Sequence, residues 1–126
     1  KNITLCPECK YGDYVAGAAK LAGKASAIGL PELEGSDKQV AWAEYIRAEL
    51  LESAEEYLKD NWNMTSMLED AAVKVHNEKV LHVLGQILVQ IRQEPRAAWW
   101  ISHRRSDGAQ MLRSVYQEQH PEEMQL

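Results

Sequence analysis

The sequence predicts an all-α protein, a compact bundle of five or six helices behind a short irregular N-terminal segment containing a CxxC motif. Apolar residues recur at helical spacing in two long stretches, about residues 36–60 and 65–94. Good helix starts stand where they are needed, at Ser36 with Gln39 three residues on and at Ser106 or Asp107. Strict apolar–polar alternation is missing, "NITL" (residues 2–5) being the one candidate strand.

With 126 residues, 45% hydrophobic and 26% charged, the chain has the balance of one globular domain. Residues 1–13 would form the cysteine segment and 121–126 a frayed tail. There is no Phe, so Leu, Val, Ile, Ala and four Trp must build the core. No apolar run approaches the roughly 18–20 residues of a membrane span. Nor does an apolar stretch precede the cysteines, as a signal peptide would require. The expected location is therefore the cytoplasm.

After "CPEC", an Ala-rich stretch diluted by Gly17 and Gly23 predicts a loose helix near residues 14–27, ended by Gly29 and Pro31. "LPELEG" connects it to a helix capped by Ser36 and ending near Asp60. On a helical wheel Val40, Trp42, Ala43, Ile46, Leu50, Leu51, Ala54, Tyr57 and Leu58 fill one half of that helix. Glu44, Glu52, Glu55, Glu56 and Lys59 fill the other. Trp42 and Ile46 are expected to anchor the buried face, and Trp42→Ala to cost about 3–5 kcal/mol. Ala43 and Ala54 are small enough to let another helix come close.

Arg47 falls inside that apolar half. A buried guanidinium must be paired or it costs several kcal/mol. Its head is expected to meet a carboxylate from another helix or carbonyls at a helix end, with Arg47→Met tolerated better than Arg47→Ala. The alternative is a pocket arginine that holds an anionic ligand.

Between residues 65 and 94 the apolar face does not hold still. Met67, Leu68, Ala71, Ala72 and Val75 define one stripe. Val80, Leu81, Leu84, Ile87, Leu88 and Ile91 define another, about half a turn away, which predicts a break near residues 76–79. Pro95 suits the first position of a helix through "RAAWWISHRR". After the "SDGA" turn, a last helix carries Met111, Leu112, Val115 and Tyr116 on one side until Pro121 stops it.

The net charge of −5 argues against nucleic acid as a partner, yet five of the six arginines fall between residues 92 and 113. Arg92, Arg96, Trp99, Trp100, Arg104 and Arg105 could stack bases and hold phosphates. Alternatively the tryptophans plug the core while the arginines face solvent. Cys6 and Cys9 could chelate zinc, but a structural site needs four ligands and no second pair exists. A redox pair after a strand is the other chemistry, but no alternating strand and helix pattern follows to support it, and a passive reduced or incidentally oxidised pair is the plainest outcome. The expected cofactor is none, zinc being the metal this pair would take. No G-x-S-x-G, H-E-x-x-H, P-loop or dinucleotide fingerprint occurs, which argues against an enzyme.

"GLPELEGSDKQVAWAEYIR" resembles a segment, G-L-P-x-L-x-G-S-x-K-Q-x-x-W-A-x-x-I-R, of uncharacterised small proteins of bacteria, phages and mobile elements. Some of these also carry an N-terminal cysteine pair and a later W-I-x-x-R element like "WWISHRR". The resemblance covers roughly residues 29–51 and 99–104 and implies a small accessory protein without assigning it an activity. Together with the acidic charge it favours a non-enzymatic protein-binding accessory or inhibitor module, in a homodimer or with another protein, over a nucleic-acid-binding module.

Overall fold

The computed structural model describes residues 7–121, with side chains from residue 12 onward. Five helices follow in order: α1 (Pro7–Ala27), α2 (Asp37–Ser66), α3 (Ala71–Arg92), α4 (Ala97–Ser102) and α5 (Gly108–Gln119). The described residues form no strand, only an isolated bridge between Glu34 and Arg96. α2 is the spine: each of the other four helices packs on it, and α3 also meets α5. No helix among the described residues is long and apolar enough to cross a membrane.

α1 starts earlier than the sequence suggests. Pro7 opens it, a first-turn position where the missing N–H is not needed. The irregular segment expected to reach residue 13 is thus helical from residue 7. "NITL", Cys6 and residues 122–126 of the expected tail lie outside the described residues. The other end is as expected. Gly29 takes φ +86°, Leu30 N–H donates to Ala25 C=O (2.9 Å) and Gly29 N–H to Ser26 C=O (3.1 Å), a Schellman ending that glycine favours.

The connector is pinned at both ends. Leu30 and Leu33 are buried. Glu34 N–H donates to Pro95 C=O (2.7 Å), and Ala97 N–H donates to Glu34 C=O (2.9 Å). Ser36 then caps α2 through the expected capping box with Gln39.

α2 does not stop at Asp60 but runs to Ser66. No Gly or Pro interrupts "NWNMTS". Asn61 Nδ2 donates back to Tyr57 C=O (2.8 Å), and Thr65 is buried. The break expected at residues 76–79 falls instead at Met67–Asp70, where Asp70 caps α3 by accepting from Ala72 and Val73 N–H. This resolves the shifting face. The second stripe is core apart from Val80, which is 44% exposed: Leu81, Leu84, Ile87, Leu88 and Ile91 are buried. The first stripe is not core at all: Met67, Leu68, Ala71, Ala72 and Val75 are exposed. α3 therefore needs no kink.

α5 crosses over α2 and α3. Its capping box joins Asp107 and Gln110, Gly108 N–H donates to Ser53 Oγ (2.9 Å), and Gln119 Nε2 donates to Gln90 Oε1 (2.8 Å). Ala54, fully buried, lets α5 come close, and a Cβ on residue 108 would overlap the Ala54 backbone. The clashing atoms are main chain, so the helices must move apart. Gly108→Ala should lower stability by about 1–3 kcal/mol or more. An unchanged urea midpoint would contradict this contact.

Candidate functional site

Arg47 is 2% exposed, buried as its place within the apolar half predicts. Its Nη2 donates to Glu44 Oε1 (2.7 Å) and its Nη1 to Pro31 C=O (2.8 Å). The carboxylate comes from the same helix rather than from another, and the carbonyl belongs to the connector rather than to a helix end. Glu44, assigned to the polar half by the wheel, is only 4% exposed. The reason is lateral: α1 and the connector cover that side of α2, so Ala22, Leu30, Pro31 and Glu32 line the space beside Glu44 and Arg47. Arg47 is paired from within the chain, as a structural arginine would be.

The same shift of the buried face leaves Trp42 outside it. Trp42 is 43% exposed and is no core anchor, whereas Ile46, one turn on, is buried. Arg104 lies over the Trp42 indole, with Cζ 5.5 Å from the ring centroid, and its Nη1 donates to Ile101 C=O (3.0 Å). The two elements thus meet at the surface through Trp42 and Arg104, while Ile46 and Trp100 share the core.

Trp100 takes the central place instead. It is fully buried, and its Nε1 donates to Glu94 C=O (3.1 Å). Trp99, half-buried, meets the Trp100 ring edge-on at 4.9 Å and lies against His103 at 4.2 Å. The arginines around them are engaged in part. Arg96 makes a two-pronged contact with Glu94 (2.8 and 3.0 Å), and this hydrogen bonding holds the Glu94 carboxyl below its ordinary pKa against the opposing effect of desolvation. Arg92 reaches Glu55 at 3.5 Å, and Arg113 lies over Tyr57 at 6.0 Å. Arg105 is exposed. The tryptophan faces needed for base stacking are therefore largely turned inward or onto each other.

Cys9 falls within α1, but its side chain, like all of Cys6, lies outside the described residues. Among the described residues no group of three or more His, Cys, Asp or Glu is placed to hold a metal ion.

The feature that sequence reading missed is the far end of the α2–α3 hairpin. Of the eleven exposed large hydrophobic residues among the described residues, seven fall between residues 62 and 80: Trp62, Met64, Met67, Leu68, Val73, Val75 and Val80. Met67 is 78% exposed and Met64 64%. α5 covers α2 around Ser53–Tyr57 and α3 at Gln90, and the hairpin runs on beyond it. There Tyr57, Val80 and Leu84, together with the polar Asn61, Thr65, His76 and Asn77, line a groove of about 260 Å³. Helical spacing sets Met64, seven residues past Tyr57, and Val73, seven before Val80, on the same face. Part of the signal is present in the sequence as the first of the two stripes, which supplies Met67, Leu68 and Val75. Comparisons with known protein families, with curated proteins and with solved structures give no match for this chain, so its own geometry is the ground for a functional reading.

Proposed function

We propose that this chain is a non-enzymatic protein-binding accessory module, an adaptor or inhibitor, that meets its partner through the tip of the α2–α3 hairpin. The concentration of exposed apolar side chains at that tip carries the reading. Exposed apolar side chains gathered at one end of a small domain point to an interaction site, and two methionines among them suit a surface that adapts to what it meets. The acidic net charge and the resemblance to accessory proteins of bacteria, phages and mobile elements support the same reading, in a cytoplasmic setting and without a cofactor.

The test is a contact map in the source cell. A photo-crosslinker at Met67 or Val73 should give one defined protein adduct, and the same probe at Arg105 should not. Val80→Lys should remove the adduct while leaving the helical circular dichroism unchanged. Adducts formed equally from residue 105, or insensitive to Val80→Lys, would overturn the reading.

The nucleic-acid alternative makes the opposite forecast. A phosphate-binding patch should bind labelled DNA or RNA tightly at low salt, with affinity falling steeply as salt rises. With Trp100 buried and Arg96 held by Glu94, no binding above background is expected at physiological salt. Salt-sensitive micromolar binding that Arg104→Ala with Arg105→Ala abolishes would reverse the choice.

A further inference from the structure

We propose that the groove at the hairpin tip takes an amphipathic α-helix of a partner protein, one that carries lysine or arginine along the edge facing α2. The proposal rests on the reading of the tip as a docking surface and adds the shape and charge of what docks. The molecule contains its own precedent next door. α5 is an amphipathic helix laid over the same two helices, with Met111 and Leu112 fully buried and Arg113 over the Tyr57 ring on the α2 side. The groove begins at that same Tyr57 and continues toward the tip. Val80 and Val73 extend the stripe that Ile87 and Leu84 bury, and no element of the described chain covers them.

The two edges of the groove differ in charge. On α2, Asp60 stands three residues after Tyr57 and four before Met64, with Glu56 one turn behind it, and both acids are exposed. On α3, Lys79 stands three residues after His76 and four before Val83, and it is exposed too. A helix laid between them meets carboxylates on one flank and an ammonium on the other. Basic residues belong on the α2 flank, where Arg113 of α5 already lies over the Tyr57 ring. Helix-in-groove recognition of this kind takes its affinity from the apolar stripe and its orientation from such flanks.

A second copy of the chain fits this face less well. Two grooves facing each other with tips aligned would bring the α5 layer of each copy into the body of the other. With tips opposed, α2 lies over α2, which sets the Asp60 regions of the two copies against each other and does the same for Lys79. Like charges across a contact oppose it.

The experiment uses three synthetic peptides of about 15 residues, four helical turns. Each has one Leu/Val stripe; the first has lysines on one flank, the second glutamates there, and the third is the lysine peptide in scrambled order. Fluorescence anisotropy against the full chain should show the lysine peptide binding about tenfold or more tighter than the other two, with the preference shrinking as salt rises. Val80→Lys should abolish binding. Glu56→Lys with Asp60→Lys should reverse the preference toward the glutamate peptide, which simple attraction to a chain of net charge −5 would not do in one local pair. Circular dichroism and melting of each variant check that it is folded. Equal binding of both charged peptides, still lost in Val80→Lys, would overturn the charge assignment while leaving the tip a docking surface. Binding of neither, or a dimer of the unmodified chain that Val80→Lys dissociates, would overturn the helix as occupant.

Discussion

Arg47→Met should destabilise the fold by about 3–5 kcal/mol, the range for removing one partner of a buried ion pair. The methionine keeps the packing of the stem, so it should still do better than Arg47→Ala, which adds a cavity. Neither supplies a counter-charge. Glu44 is 4% exposed and its Oε1 accepts from Arg47 Nη2, so losing the guanidinium strands a carboxylate under α1 and the connector. The cost therefore lies with the glutamate, and it can be relieved there. Glu44→Leu combined with Arg47→Met should recover most of the lost stability, because well-packed apolar pairs often match buried ionic ones. Recovery stops short by about 1 kcal/mol, since Pro31 C=O loses its donor. Urea unfolding of the two single variants and the double gives the coupling directly. If Arg47→Met alone is nearly neutral, or the double variant is no better than the single, the pair is not the unit described here.

The helices were legible because their starts and spacing are local properties. Ser36 with Gln39, Gly29 and Asp107 each act within a turn or two, and the structure shows each in its expected place. What was not legible depends on which side of a helix the rest of the chain covers. A helical wheel orders side chains around an axis but does not say how wide the covered arc is. α1 and the connector widen that arc on α2 toward Glu44, and Trp42 is left at its rim. On α3 the error runs the other way. Near the hairpin turn apolar residues recur at helical spacing as they do in the core, and nothing local distinguishes an exposed stripe from a buried one.

The segments that carry the resemblance do gain a physical account from the fold. Residues 29–51 and 99–104 are far apart in the chain, yet the first reaches the start of α4 through Glu34 and covers Arg104 with Trp42. Arg47 ties α2 back to Pro31 of the same segment. Glycine, proline, tryptophan and arginine in that pattern thus describe one corner of the molecule, where the connector, α2 and α4 are joined. The surface proposed for docking lies at the opposite end of α2.

The two tryptophans most easily confused in the sequence should separate sharply on substitution. Trp100→Ala should cost about 3–5 kcal/mol, the usual range for truncating a buried aromatic side chain. Trp100 is fully buried and packs edge-on against Trp99, and its indole N–H satisfies Glu94 C=O just before α4. Its loss opens a void in the core cluster that it shares with Met111 and Leu112, and it frees the start of α4 from the end of α3. A domain of this size holds only about 5–15 kcal/mol in total, so the variant should be partly unfolded or melt far lower. Trp42→Ala, by contrast, removes a side chain nearly half in solvent and one contact with an exposed arginine. Such a cation–π pair is worth about 0.5–1 kcal/mol, and the loss of half-buried apolar area adds a similar amount. The variant should stay folded, with a loss of about 1–2 kcal/mol. Thermal melts of the two proteins, followed by far-UV circular dichroism, make the comparison. Equal destabilisation, or the larger loss from Trp42→Ala, would mean that the buried face of α2 lies where the helical wheel first placed it.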